Sequence, residues 1–445
     1  MKTDFKPLIL SALMALALIS SVQAALPIEQ LDSFHGAKGY LVQTKTLPML
    51  DIEISIDAGS RYDPSTKSGL ASLTGALLNK GIRSSKGALT EDQIADQVAD
   101  LGADLSVGVT GERALIRIRC LSRSDIRDRA VGLARQILSN PSYEPAVLNR
   151  EKQRISAGLL EAETKPDFVL DRRFKKAVYG DYPLGNAMTV KSIAALTASE
   201  LKQFHQQFYR SDRLIVSMVG DISRAEAQEM MQTLVKDLPA TGSAIPPLPE
   251  LFRSPIESTA DREIQIPFDS QQAHIAMGMT AIARNNPDYF HLMVGNYALG
   301  GGGFVSRLMN EVREKRGLAY SVFSYFAPGQ DNGIFQAGLQ TKNDQASMAL
   351  DVMIETITQF IAKGPTQSEL DAAKANLVNG FPLRIDNNRK LLDNVSSIAW
   401  NGLPLNTLDT WTEQVNAVTR DQIETAFQKY LAMDRMKIVV LGAKQ

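Results

Sequence analysis

Two homologous α+β domains in tandem, behind an export signal, are what this sequence predicts. Three observations carry the prediction: an internal repeat at an offset of 222 residues, short strands and helices alternating within each copy, and a proline-rich stretch between the copies. The repeat is clearest where residues 193–201 align with 415–423. Thr197 matches Thr419, Arg213 matches Arg435 and Gly220 matches Gly442. The same offset relates Leu148 to Leu370, Lys152 to Lys374 and Gly158 to Gly380. Upstream the match is looser: residues 52–59 resemble 273–279, and each run leads into a helical stretch ending in glycine, 69–81 and 289–300.

Taken in chain order, the first element is the signal. Lys2 and Lys6 precede an almost wholly apolar run from Leu8 to Ile19, and Val22-Gln23-Ala24 supplies the small residues that a signal peptidase reads. Cleavage is expected after Ala24. The apolar run is too short to span a bilayer of ~30 Å. Export to a bacterial periplasm follows, with no membrane anchor left after cleavage. A first domain is expected over 25–240, a linker containing Pro246, Pro247, Pro249 and Pro255 over 241–262, and a second domain over 263–445.

Within the first domain, alternating apolar residues predict strands at 51–56, 114–120 and 214–219. Helices are predicted at 125–138 and 199–208, with Asp125 and Ser199 suited to the first turns. In the second domain, strands are predicted at 334–340 and 437–441 and helices at 345–360 and 420–430. A further helix ends at Gly317, and a strand then runs from Tyr320 to Phe326.

Composition excludes several functions. The chain has 48 Lys+Arg against 49 Asp+Glu, a net charge of −1, so no basic excess points to nucleic acid. It has four His and one Cys. Cys120 has no partner for an intramolecular disulfide and reads as a buried structural thiol. No two of His35, His205, His274 and His291 stand three or four residues apart, so none forms a helical ligand pair. Each reads as a packed or hydrogen-bonded histidine. No Ser/His/Asp or Cys/His arrangement supports a non-metal nucleophile.

The strings Ala58-Gly59-Ser60-Arg61 and Gly69-Leu70-Ala71, with the Gly-rich segment from Leu299 to Val322, resemble the M16 (pitrilysin or insulinase-like) metallopeptidases in their short two-domain form. The resemblance implies two mitochondrial-processing-peptidase-like (LuxS-like) domains forming a half-clamshell. In that family an inverted His-x-x-Glu-His motif and a downstream Glu hold zinc and activate water. Here Ser72 and Ala76 stand where the two His belong, and Gly75 where the catalytic Glu belongs. Gly158, seven residues after Glu151, stands where the last ligand belongs. None of these side chains can hold a divalent cation.

The family also supplies an Arg and a Tyr seven residues apart that face the zinc site and hold substrate, and Arg313 and Tyr320 match them. Arg316, four residues before Tyr320, is the rival for the Arg role. Gly300, Gly301, Gly302 and Gly303 read equally as a backbone approach for extended peptide or as a plain turn; as a phosphate cradle the run is weak. The resemblance therefore implies a non-catalytic subunit, inactive alone. It would bind peptide and supply Arg313 and Tyr320 in trans to a zinc-bearing M16 partner, with no cofactor of its own. The other reading is a non-catalytic structural or peptide-binding scaffold, like the M16-like core subunits of respiratory complexes.

Overall fold

A computed structural model describes residues 27–84, 87–251 and 262–442. The expected signal at 1–24 and part of the expected linker lie outside the described residues. Among the described residues, no helix is long and apolar enough to cross a membrane.

The first half contains β1 (Glu29–Gln30), β2 (Lys38–Gln43), β3 (Met49–Ile56), β4 (Gly81–Ser84), β5 (Gly87–Thr90), β6 (Asp104–Val109), β7 (Ala114–Leu121) and β8 (Leu214–Gly220). The second contains β9 (Glu263–Ile266), β10 (Gln272–Thr280), β11 (Ala319–Ala327), β12 (Ile334–Lys342) and β13 (Lys437–Leu441). One large sheet runs β1-β2-β8-β3-β7-β6 and a second β11-β12-β10-β13-β9, while β4 and β5 form a separate two-stranded sheet. Read from opposite ends the two orders correspond strand for strand, except that β1 is an extra antiparallel strand at the edge of the first. In both, β3 or β10 is antiparallel to both neighbours, and one parallel pair (β2 with β8, β9 with β13) lies on the same side of it.

The helices repeat as well. The first half carries α1 (Leu70–Ala76), α2 (Glu91–Asp100), α3 (Ser124–Ser139), α4 (Pro145–Ala162), α5 (Pro166–Tyr179), α6 (Val190–Ala195), α7 (Ala198–Phe208) and α8 (Arg224–Val235). The second carries α9 (Tyr289–Asn296), α10 (Ala346–Lys363), α11 (Gln367–Gly380), α12 (Asn388–Trp400), α13 (Thr407–Ala417) and α14 (Arg420–Tyr430). The repeated threonines of the sequence are helix caps. Thr197 accepts from the Glu200 N–H and Thr419 from the Gln422 N–H, each in a capping box. The repeated lysines do one job twice. Lys152 Nζ donates to the Ala194 carbonyl (2.9 Å) and Lys374 Nζ to the Asn416 carbonyl (2.8 Å), each near the C-terminal end of a helix.

Strand β3 shows how the halves join. Its Leu50, Ile52, Ile54 and Ile56 are fully buried in the first core, each worth roughly 1.5–3 kcal/mol on burial. The alternate residues Asp51, Glu53 and Ser55 are also buried, although they are polar. Helix α12 from the second half covers that face. Leu391, Leu392, Val395 and Ile398 pack on Tyr40, Val42 and Val219. The exchange is reciprocal: α5 from the first half covers the second sheet, with Phe174 and Val178 against Ala276, Ile334 and Val439. The exchanged helices begin 222 residues apart, so the sequence repeat and the swap are one feature.

At the polar end of the α12 contact lies Glu53. Its carboxylate accepts from Arg117 Nε (2.8 Å), Arg113 and the hydroxyls of Ser55 and Ser396. Burial opposes its ionisation, but Ser396, Arg113 and Arg117 outweigh burial and hold it below the usual carboxylate range.

Candidate functional site

The residues expected at the family's metal positions lie on α1 (Ser72, Gly75, Ala76) and α4 (Gly158). Asp63 fixes the start of α1 by accepting from the Gly69 N–H (2.7 Å) and the Ala71 N–H (2.8 Å). Burial pushes its carboxyl up to about 7 against the pull of those N–H donors. Ser72 and Ala76 are half-buried on this helix, Gly75 is buried and Gly158 is exposed on α4. Gly75 is also sterically sealed, since a Cβ there would lie 2.4 Å from Val109 Cγ2. A hydroxyl, a methyl and two glycines make no donor set for zinc, and the packing leaves no room for a glutamate at Gly75. Zinc does not fit these residues. Among the described residues, no group of three or more His, Cys, Asp or Glu is placed to hold a metal ion.

His35 stacks on the Phe34 ring at 4.1 Å, and the other three histidines each have a hydrogen-bonding partner. His205 is buried with Nε2 2.9 Å from the Leu138 carbonyl, His274 Nδ1 is 2.7 Å from Asp167, and His291 Nδ1 is 3.2 Å from Asp288. Glu151 is buried and accepts from Arg154 Nε at 2.8 Å. Burial raises the Cys120 thiol to about 11, which leaves it unreactive.

In the second half three local irregularities converge. Helix α9 widens into a π turn over Tyr297–Gly301. A second π turn spans Met309–Glu314 and carries Arg313. Strand β11 then opens with a bulge: Ala319 pairs with Thr341 and Ser321 with Gln340, which leaves Tyr320 as the extra residue. Wide turns and bulges re-aim side chains, and they recur at functional sites. The Tyr320 side chain is thrown outward and is 76 % exposed.

Arg313 and Tyr320 meet. The guanidinium carbon lies 5.0 Å from the Tyr320 ring centre and 4.9 Å from that of Phe304, so it contacts both rings. Its nearest carboxylate partner, Glu314, stands 3.6 Å from Nε, beyond hydrogen-bonding distance. Arg316 is committed elsewhere, donating to the Glu311 carbonyl (2.7 Å) and carboxylate (2.8 Å). Arg307 is structural: it donates to Glu369 (2.9 Å) and lies over the Phe360 ring. Of the arginines around the Gly-rich segment, Arg313 alone holds its donors free beside Tyr320, among the described residues.

The glycines are shaped by close packing. A Cβ on Gly300 would lie 2.4 Å from Ser324 Oγ, and one on Gly302 would lie 2.7 Å from the Tyr297 carbonyl oxygen. Gly303 has φ +59°, the left-handed region. Asn296 donates to the Ser324 carbonyl (2.9 Å) and accepts from the Ser324 hydroxyl (2.7 Å). This buried pair locks the glycine turn onto β11, four residues along the strand from Tyr320.

Sequence reasoning missed the tie between the two regions. Arg61, in the Gly59-Ser60-Arg61 turn, donates to Asp331 (3.1 Å) and Gln330 (3.0 Å) in the β11–β12 turn. Tyr182 donates to the same Asp331 at 3.1 Å. Glu112 accepts from the Gln330 N–H and from Trp400 Nε1, both at 2.8 Å. Burial disfavours the Arg61 charge, but Asp57 beside it more than restores it. The approach to the empty metal positions is thereby clamped to the hairpin that presents Tyr320.

Comparison with known proteins agrees in both halves. Residues 41–191 match the family described as insulinase (peptidase family M16), and residues 195–377 match the peptidase M16 inactive domain. The non-peptidase homolog YmxG of Helicobacter pylori is 26 % identical over 412 residues, covering 90 % of each chain. A crystal structure described as a peptidase M16 inactive domain, from Pseudomonas fluorescens, superposes with a TM-score of 0.88 at 32 % identity, over 94 % of this chain and 98 % of that one. The periplasmic protease PqqL of Escherichia coli shares the fold, with a TM-score of 0.78 at 16 % identity, over 95 % of this chain and 46 % of that one.

Proposed function

This chain belongs to the M16 (insulinase) peptidase family, and from that premise we propose that it is the zinc-motif-less subunit of a two-chain periplasmic peptidase. It binds extended peptide and presents Arg313 and Tyr320 to a substrate carbonyl that is cleaved by a zinc-bearing M16 partner. The observation that carries the reading is the contrast between the two regions. The ligand positions hold Ser72, Gly75, Ala76 and Gly158, with Val109 packed over Gly75. Arg313 and Tyr320 nonetheless converge with their donors uncommitted. A phenol O–H can donate one hydrogen bond to a carbonyl oxygen as negative charge develops on it, and a guanidinium adds fixed positive charge and further donors. Losing one such donor costs ~2.7–4 kcal/mol in comparable sites.

Export is supported by Lys2, Lys6, the apolar run and Ala24. The glycine turn, Gly300 to Gly303, lies beside Arg313 and fits a place where peptide backbone approaches closely. The scaffold reading would leave the free guanidinium and the outward phenol without a use. Co-expression with an exported His-x-x-Glu-His-bearing M16 homologue tests the reading. A stable complex that cleaves a quenched peptide, with neither chain active alone, is expected. Failure to form a complex contradicts it.

A further inference from the structure

Of the twelve large apolar side chains left exposed among the described residues, five lie between Phe304 and Tyr325. Phe304 is 69 % exposed and Val305 60 %. They sit side by side on the short turn Gly303–Val305, lifted by the left-handed Gly303. The fold gains little from them, because Phe304 makes one ring contact, to Arg313. Two adjacent exposed apolar side chains beside a guanidinium with free donors form a binding surface rather than scattered surface residues.

From this we infer that Phe304 and Val305 form a side-chain subsite selecting a large apolar residue of the peptide whose carbonyl Arg313 and Tyr320 hold. The inference rests on the proposed substrate role of that pair, and it names the substrate class: extended segments with an aromatic or large aliphatic residue next to the held carbonyl. Three features favour an extended peptide as occupant. β11 is the edge strand of its sheet, so one side of its backbone is unpaired. Phe323 and Tyr325 project exposed from the same strand with rings stacked at 5.9 Å, so the edge strand carries further apolar side chains. The hydrogen-bonding groups beside the apolar step, one phenol and one guanidinium, suit a peptide carbonyl. Phe304 has a second task as a positioning residue. Its ring backs the guanidinium, and the nearest carboxylate, Glu314, stays 3.6 Å from Nε, beyond hydrogen-bonding distance.

The test is fluorescence anisotropy with the purified full chain and labelled unstructured peptides of equal length and charge, differing in one central Ala, Leu or Phe. The Phe and Leu peptides are expected to bind about tenfold tighter than the Ala peptide, the range one apolar contact gives. Phe304→Ser and Val305→Ser should erase that preference. Phe304→Leu should keep the preference while weakening all three peptides together, since it retains apolar surface but not the ring behind Arg313. Leu383→Ser, at an exposed apolar site elsewhere, should change nothing. Equal affinity for the three peptides, no binding to any of them, or a preference that survives Phe304→Ser overturns the inference. So does a concentration-dependent self-association that Phe304→Ser abolishes. Because the assay uses this chain alone, failure to find a zinc-bearing partner leaves its outcome unaffected. A lost preference with partner-dependent cleavage intact would sink the subsite and leave the proposed function standing.

Discussion

Val109 Cγ2 occupies the space that a side chain on Gly75 would need, 2.4 Å from where its Cβ would be. The position expected to carry the family's catalytic Glu is therefore closed by packing as well as stripped of its side chain, and the two features are separable by mutation.

Gly75→Ala is expected to destabilise by about 1–3 kcal/mol through overpacking against a stiff β-branched side chain. In a Val109→Ala background the same substitution should cost almost nothing. Urea denaturation of the four proteins measures the coupling, and additive costs would contradict the contact. The wild-type chain is also expected to take up no stoichiometric zinc by equilibrium dialysis.

The interdomain clamp makes a second prediction. Arg113 donates to Ser55 (2.9 Å), Ser396 (3.0 Å) and the fully buried Glu53. Arg113→Met removes one of two guanidiniums from a buried carboxylate, which should cost about 3 kcal/mol. Adding Glu53→Gln should recover part of that loss. A single variant as stable as the wild type would show that the network does not hold the halves together.

Much of this architecture could be read from the sequence. The 222-residue offset matched Thr197 with Thr419 and Lys152 with Lys374 because each pair does one local job twice, whereas the exchanged helices α5 and α12, which begin at the same offset, show only in the structure. Arg313 and Tyr320, singled out at a spacing of seven residues, lie in contact. What escaped was set by tertiary contact. Asp51, Glu53 and Ser55 alternate with apolar residues, a pattern that by itself says nothing of the helix from the other half that covers them. The π turns at 297–301 and 309–314 leave no periodic signal, since their apolar spacing is shared with an ordinary helix. Phe304 follows the glycine run with no periodic partner, and its contact with Arg313 exists only in three dimensions. The Arg61 link to Asp331 spans 270 residues and has no local signature.

His205 supplies a pH prediction. Burial lowers its pKa from 6.5 to about 4, against the Leu138 carbonyl, which favours the protonated ring. The unfolded chain takes up its proton near pH 6.5 and the folded chain only near pH 4. Between those values the unfolded state binds more protons, so stability falls as pH drops through that window. The loss approaches about 3 kcal/mol by pH 4. Denaturation midpoints across this range should decline for the wild type and flatten for His205→Gln. An equal decline in both would assign the pH dependence to other groups.

The central claim, that Tyr320 donates to a substrate carbonyl in trans, is tested most directly by kcat/KM for the reconstituted two-chain complex with Tyr320→Phe. The side chain is 76 % exposed, so the variant should fold and assemble normally. The expected result is a fall of about 10²–10³ in kcat/KM, carried by kcat, with complex formation unchanged. Unchanged kcat/KM in an intact complex would contradict the assignment.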